Sequence, residues 1–118
     1  MQQKPQTRSD LWHQYKHGET LGTKGADNGI IIRDEEYLEA ARVQLETQNP
    51  TAPFAIVCWI YGQLVHTVYM KSQADADKLF EEVKTELEKI VALLPRADTY
   101  EVIKPEVYRA IESFVARC

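Results

Sequence analysis

"PFAIVCWIYGQLVHTVYMK", residues 53–71, is the stretch on which the fold turns. It is the most apolar part of the chain, β-branched and aromatic throughout, and too long for one ordinary strand. Gly62-Gln63 interrupts it near the middle, and glycine at the first position of a two-residue loop suits a type II′ turn. The expectation is a hairpin with strands at about 54–61 and 64–70. Loop length then decides which side chains meet. A two-residue loop sets Trp59 opposite His66 and Cys58 opposite Thr67, so Cys58 and His66 point to opposite faces. A three-residue loop would set Cys58 opposite His66, a nucleophile beside a base. Gly62 favours the two-residue arrangement, in which no catalytic dyad forms.

In that register both faces of the hairpin are apolar. One carries Phe54, Ile56, Cys58, Ile60, Val65 and Tyr69; the other carries Ala55, Val57, Trp59, Tyr61, Leu64, Val68 and Met70. An antiparallel sheet with one wet face alternates polar and apolar residues, so both faces here need a cover. A helix can supply one. The other falls to a terminal helix, the N-terminal residues or a second chain.

After the hairpin, SQADADKLFEEVKTELEKIVALLP is the clearest element. Ser72 with Asp75 three residues on resembles a capping box, with Asp in place of the usual Glu. Leu79, Phe80, Val83, Leu87, Ile90, Val91 and Leu94 form an apolar stripe, and Pro95 stops the helix. Asp75/Lys78, Glu81/Lys84 and Glu86/Lys89 read as exposed ion pairs on the opposite, solvated face. An extended TYEVI leads to a terminal helix opened by Pro105, with Val107, Tyr108, Ile111, Phe114 and Val115 inward.

Before the hairpin, GIIIRDEEYLEAARVQLETQNP admits two readings. Asp34 could cap a helix carrying Tyr37, Leu38, Ala41 and Leu45. Equally, Ala41, Val43, Leu45 and Thr47 alternate with Arg42, Gln44, Glu46 and Gln48, the period of a half-exposed strand. The short Asn49–Pro53 connection to the next strand favours a strand at 40–48. Residues 1–29 are polar and hold four of the five glycines, which reads as an arm with one helical turn near Ser9–His17. Three positions apart, Trp12 and Tyr15 would form one face of that turn, docking on the body or on a partner.

Composition narrows function. At 118 residues, 44% hydrophobic and 27% charged, the chain is one ordinary globular domain. A net charge of −4, with no cluster of Lys and Arg, argues against nucleic acid. Cys58 and Cys118 form no metal spacing and suit a reducing cytosol. No export signal or membrane-length apolar run is seen, so a cytoplasmic location is expected. Asp34, Glu35, Glu36 and Glu39, beside Arg33 and Arg42, match no cation loop, and such runs are usually solvated. No phosphate loop, nucleophile elbow or HExxH occurs.

The segments IIIRDEEY, AARVQLE and PFAIVCWIYGQLVHT, with the helix that follows, resemble a family of small bacterial proteins of largely uncharacterised activity. In that family a similar R-D-E-E, A-R-x-x-L-E and I-Y-G-x-x-V-H-T order recurs. The resemblance covers about residues 29–94 and implies bacterial origin and strand at 40–48; it carries no activity and no site residues. Size and acidity also look like those of orphan proteins on mobile bacterial elements.

The expected architecture is α+β: an antiparallel sheet of three or four strands, near 29–33, 40–48, 54–61 and 64–70, followed by helices at about 73–94 and 105–117. Residues 1–28 form the arm and residues 29–118 the single domain. The expected function is non-catalytic protein binding, as a homodimer or as an immunity-like or regulatory partner, with no cofactor, metal, nucleic acid or membrane. Candidate interface residues are Trp12, Tyr15, Val57, Leu64, Val68 and Met70. The alternative is a small-molecule binder or enzyme with a pocket near Trp59, Tyr61 and His66, polarised by Arg33 or Glu35.

Overall fold

The computed structural model describes residues 11–94 and 105–118. Five antiparallel strands lie in chain order: β1 (Trp12–Gln14), β2 (Ile30–Tyr37), β3 (Ala41–Thr47), β4 (Phe54–Ile60) and β5 (Leu64–Met70). Two helices follow, α1 (Gln73–Val91) and α2 (Pro105–Arg117). The α+β class and the four expected strands are present, and β1 makes a fifth. The expected helical turn near Ser9–His17 is met only in part: Trp12–Gln14 is strand paired with β2, Trp12 opposite Tyr37, and a short, irregular 3-10 turn follows at Tyr15–Gly18. The expected TYEVI segment lies outside the described residues.

Strand alternation divides the sheet into two differently covered faces. Ala41, Val43 and Leu45 of β3 and Ile56, Cys58 and Ile60 of β4 point at α1, where they meet Ala76, Phe80, Val83, Leu87 and Ile90. Each buried Val, Leu, Ile or Phe side chain here contributes about 1.5–3 kcal/mol, so this face supplies the core. Ser72 caps α1 as expected, its hydroxyl accepting the Asp75 N–H at 3.2 Å. α2 packs through Val107 and Phe114, which are fully buried. Tyr108 and Val115, expected inward, are instead exposed.

The hairpin register differs from expectation. Ile60 pairs with Leu64 and Cys58 with His66, leaving a three-residue loop of Tyr61, Gly62 and Gln63. The Gln63 N–H closes the turn on Ile60 O at 2.8 Å, and Gly62 has φ 78. Glycine thus serves the third position of a four-residue turn, where a type II turn requires positive φ. One extra loop residue moves every β5 side chain to the other face. Leu64, His66, Val68 and Met70 consequently share the helix face, and Val65, Thr67 and Tyr69 the opposite one.

Candidate functional site

The face away from the helices is built in three rows across β2 to β5. Glu36, Arg42, Trp59 and Val65 form the first; Asp34, Gln44, Val57 and Thr67 the second; Ile31, Glu46, Ala55 and Tyr69 the third. Each row begins at β2 and β3 with groups that are mostly polar and ends at β5 without charge.

Residues 15–29 cover the polar part. Arg42 grips Asp34 with two hydrogen bonds of 2.8 and 2.6 Å, while Tyr15 stacks 3.7 Å above its guanidinium and Trp59 lies 4.8 Å away. Asp34 is 2% exposed and also accepts from Thr20 and Gln44, so its charge is neutralised and hydrogen-bonded. Burial works against the Arg42 charge, but Asp34 more than offsets it, and the guanidinium is held above its ordinary pKa. Gln44 accepts the Ala26 N–H at 2.9 Å.

Glu46, fully buried, organises the rest of this cover. Its carboxylate accepts the N–H groups of Asp27 and Gly29, each at 2.7 Å, and the Asn49 amide at 3.0 Å. The loop approaches so closely that a Cβ on Gly29 would fall 2.6 Å from the carboxylate and 2.7 Å from Thr47 O. Glycine is required there by space. These contacts make Asp34, Gln44, Glu46 and Asn49 a structural network, and the acidic run of β2 is no solvated loop. Among the described residues no group of three His, Cys, Asp or Glu side chains could hold a metal ion.

The candidate pocket residues are dispersed by the same alternation. Trp59 lies under Arg42, and the Tyr61 hydroxyl donates to Glu36 at 2.6 Å. Burial, then that bond to a carboxylate, raises the Tyr61 phenol above its ordinary pKa. Both residues line an open depression of about 380 Å³ formed by the hairpin end, residues 59–65. His66 is on the opposite face, edge-on to Phe114 with ring centroids 6.0 Å apart. Arg33 and Glu35 also face the helices, where Arg33 bonds Glu81 at 2.7 Å and Lys84 bonds Glu35 at 2.6 Å. The five residues form no common site.

Cys58 and His66 do face one another, the arrangement a two-residue loop would have excluded. Burial, with the Cys118 thiol adding to it, nonetheless pushes Cys58 up to about 12 and disfavours the thiolate. A nucleophilic cysteine needs the reverse shift. The buried His66 Nε2 has no hydrogen-bond partner among the described residues.

Most candidate interface residues are already occupied within the chain. Trp12 stacks on Tyr37 at 5.1 Å and donates its indole N–H to the buried Glu88 at 2.7 Å. Tyr15 is on the opposite face, over Arg42, so the two aromatics share no surface. Val57 is buried, and Leu64, Val68 and Met70 face the helices, Leu64 and Met70 packing on the core.

What stays open is β5 itself. No described strand pairs with its outer edge. It is seven residues long, carries no Asp, Glu, Lys, Arg or Pro, and shows Val65 67% and Tyr69 44% exposed beside Tyr61 at 41%. Long uncharged edges are the ones that recruit further strands, because their N–H and C=O groups lack partners. The local signal was present in LVHTVYM, but only the register shows which of its side chains are exposed. The chain matches no protein-family model, no curated protein and no solved structure.

Proposed function

We infer that the protein works by binding another polypeptide along the open edge of β5, not by catalysis. The observation that carries this reading is an uncharged seven-residue edge, unpaired among the described residues and flanked by exposed Tyr61, Val65 and Tyr69. Main-chain hydrogen bonds to an edge supply affinity, and the side chains beside it supply selectivity. Dispersal of Trp59, His66 and Arg33 over two faces gives the small-molecule reading less support. No helix among the described residues is long and apolar enough to cross a membrane. A bacterial, cytoplasmic setting, with a regulatory or immunity-like role on a mobile element, completes the reading.

In-cell photocrosslinking tests it. A photoreactive residue replacing Val65 is expected to give a protein adduct, while the same residue replacing exposed Glu82 of α1 gives none. Absence of any adduct from position 65 overturns the reading.

A further inference from the structure

Backbone parity determines what the β5 edge offers. The Tyr61 N–H bonds to Ala40 O, so odd-numbered residues of β4 direct their backbone groups at β3 and even-numbered ones at β5. Because Cys58 pairs with His66, the even-numbered residues of β5 bond inward. Val65, Thr67 and Tyr69 therefore aim their N–H and C=O groups away from the sheet.

Those three residues are symmetric about Thr67, and so is the chemistry around them. Turning the strand over a two-fold axis at Thr67 sets Val65 opposite the second strand's Tyr69, and Thr67 opposite Thr67. The same operation sets Leu64 opposite Met70 and His66 opposite Val68 on the helix face. All three outward residues then meet outward residues. The three facing pairs give six main-chain hydrogen bonds, two for each pair. An axis at His66 would leave Tyr69 facing Gln63 in the turn, and one at Val68 would leave Val65 facing Lys71 beyond the strand. Only the Thr67 axis uses the whole edge. It brings no like charges together, and it turns the two exposed apolar residues into aromatic–aliphatic cross-strand pairs.

We propose that the occupant of the β5 edge is a second copy of this chain, joined antiparallel through β5 about a two-fold axis at Thr67 into one continuous sheet. The inference rests on the binding reading above and names its partner. Such an interface is isologous, so one position meets itself across the axis. Position 67 is that position.

The test is the mass of the purified full-length chain, measured by light scattering across a concentration series, for the wild type, Thr67→Lys and Thr67→Glu. The wild type is expected at twice the chain mass and each variant at the chain mass, since like charges face each other across the axis. Mixing the two variants is expected to restore the dimer, which also shows that both are folded. Thr67→Pro supplies a second check, because proline at an outward N–H removes no bond to β4 yet blocks pairing, and it should also give the monomer mass. A monomeric wild type overturns the proposal; if position 65 still crosslinks to a different protein, the binding reading survives it, and if it crosslinks to nothing, both fall. A dimer that persists in Thr67→Lys places the contact elsewhere and overturns the two-fold at Thr67. Two monomeric variants that do not associate on mixing overturn it as well.

Discussion

The two faces of the sheet solve the same problem by opposite means. On the helix side, Val43, Leu45, Ile56 and Phe80 exclude water by packing apolar surface on apolar surface. On the other side, Arg42, Gln44 and Glu46, alternating with those very residues along β3, exclude it by binding the backbone and side chains of residues 15–29. Packing tolerates many partners of the right volume, whereas a buried polar row requires a donor for each acceptor. The first cover is therefore generic and the second is written for one loop. Both thin out at β5, where Val65 is 67% exposed and Tyr69, though its hydroxyl donates to Asp27 at 3.0 Å, stays 44% exposed.

The contrast can be broken most forcefully on the helix side. Phe80→Ala leaves a cavity against β3 and β4 and should cost about 3–5 kcal/mol, read as a lower denaturant midpoint at unchanged slope. A cost below about 1 kcal/mol would mean that the helices do not supply the main core.

On the loop side, Glu46→Ala strands the N–H groups of Asp27 and Gly29, while the Asn49 amide keeps its bonds to Asp27. Each buried donor left unmet costs about 1–3 kcal/mol, less whatever water recovers, so a total loss of about 3 kcal/mol is expected. The damage should be local. Hydrogen exchange at Asp27 and Gly29 should accelerate while the α1 amides change only with global stability; equal acceleration everywhere would show that the loop and core form one unit.

The smallest effect sits between sheet and helix. The hydrogen bond from Arg33, with Lys84 close by, holds the Glu81 carboxyl below its ordinary value of 4.5. The unfolded chain then binds more protons in that range, so stability is gained as pH rises through it and lost as pH falls through the lowered value. Glu81 is mostly exposed, which confines the effect to a few tenths of a kcal/mol. Glu81→Gln should flatten the acid limb of a stability-versus-pH curve slightly, and an unchanged limb would remove the ion pair from the account.

Much of this architecture was legible in residue order. Ser72 and Asp75 announced the start of α1, and Pro105 that of α2, because capping acts within one turn. α1 itself closes at Val91, short of Leu94. Alternation in ARVQLET announced β3, since a strand with two differently covered faces must alternate. The ion pairs on α1 were half right: Glu81 and Lys84 do approach at 3.4 Å, but Lys84 also reaches 2.6 Å from Glu35 across the sheet. β1 left no local trace. Three residues cannot show a period, and Trp12 is held by Glu88, 76 positions away.

The sequence by itself determined the α+β class, the four longer strands, both helices and the apolar hairpin, because periodicity and caps are properties of neighbouring residues. Only the tertiary structure decided the β4–β5 register, the use of the Glu46 row and the identity of the open side chains. Two- and three-residue loops around Gly62 are both sterically allowed, and a one-residue difference exchanges the faces of β5. What selects between them is partial burial of Leu64 and His66 beneath the helices, contacts between segments that no local pattern encodes.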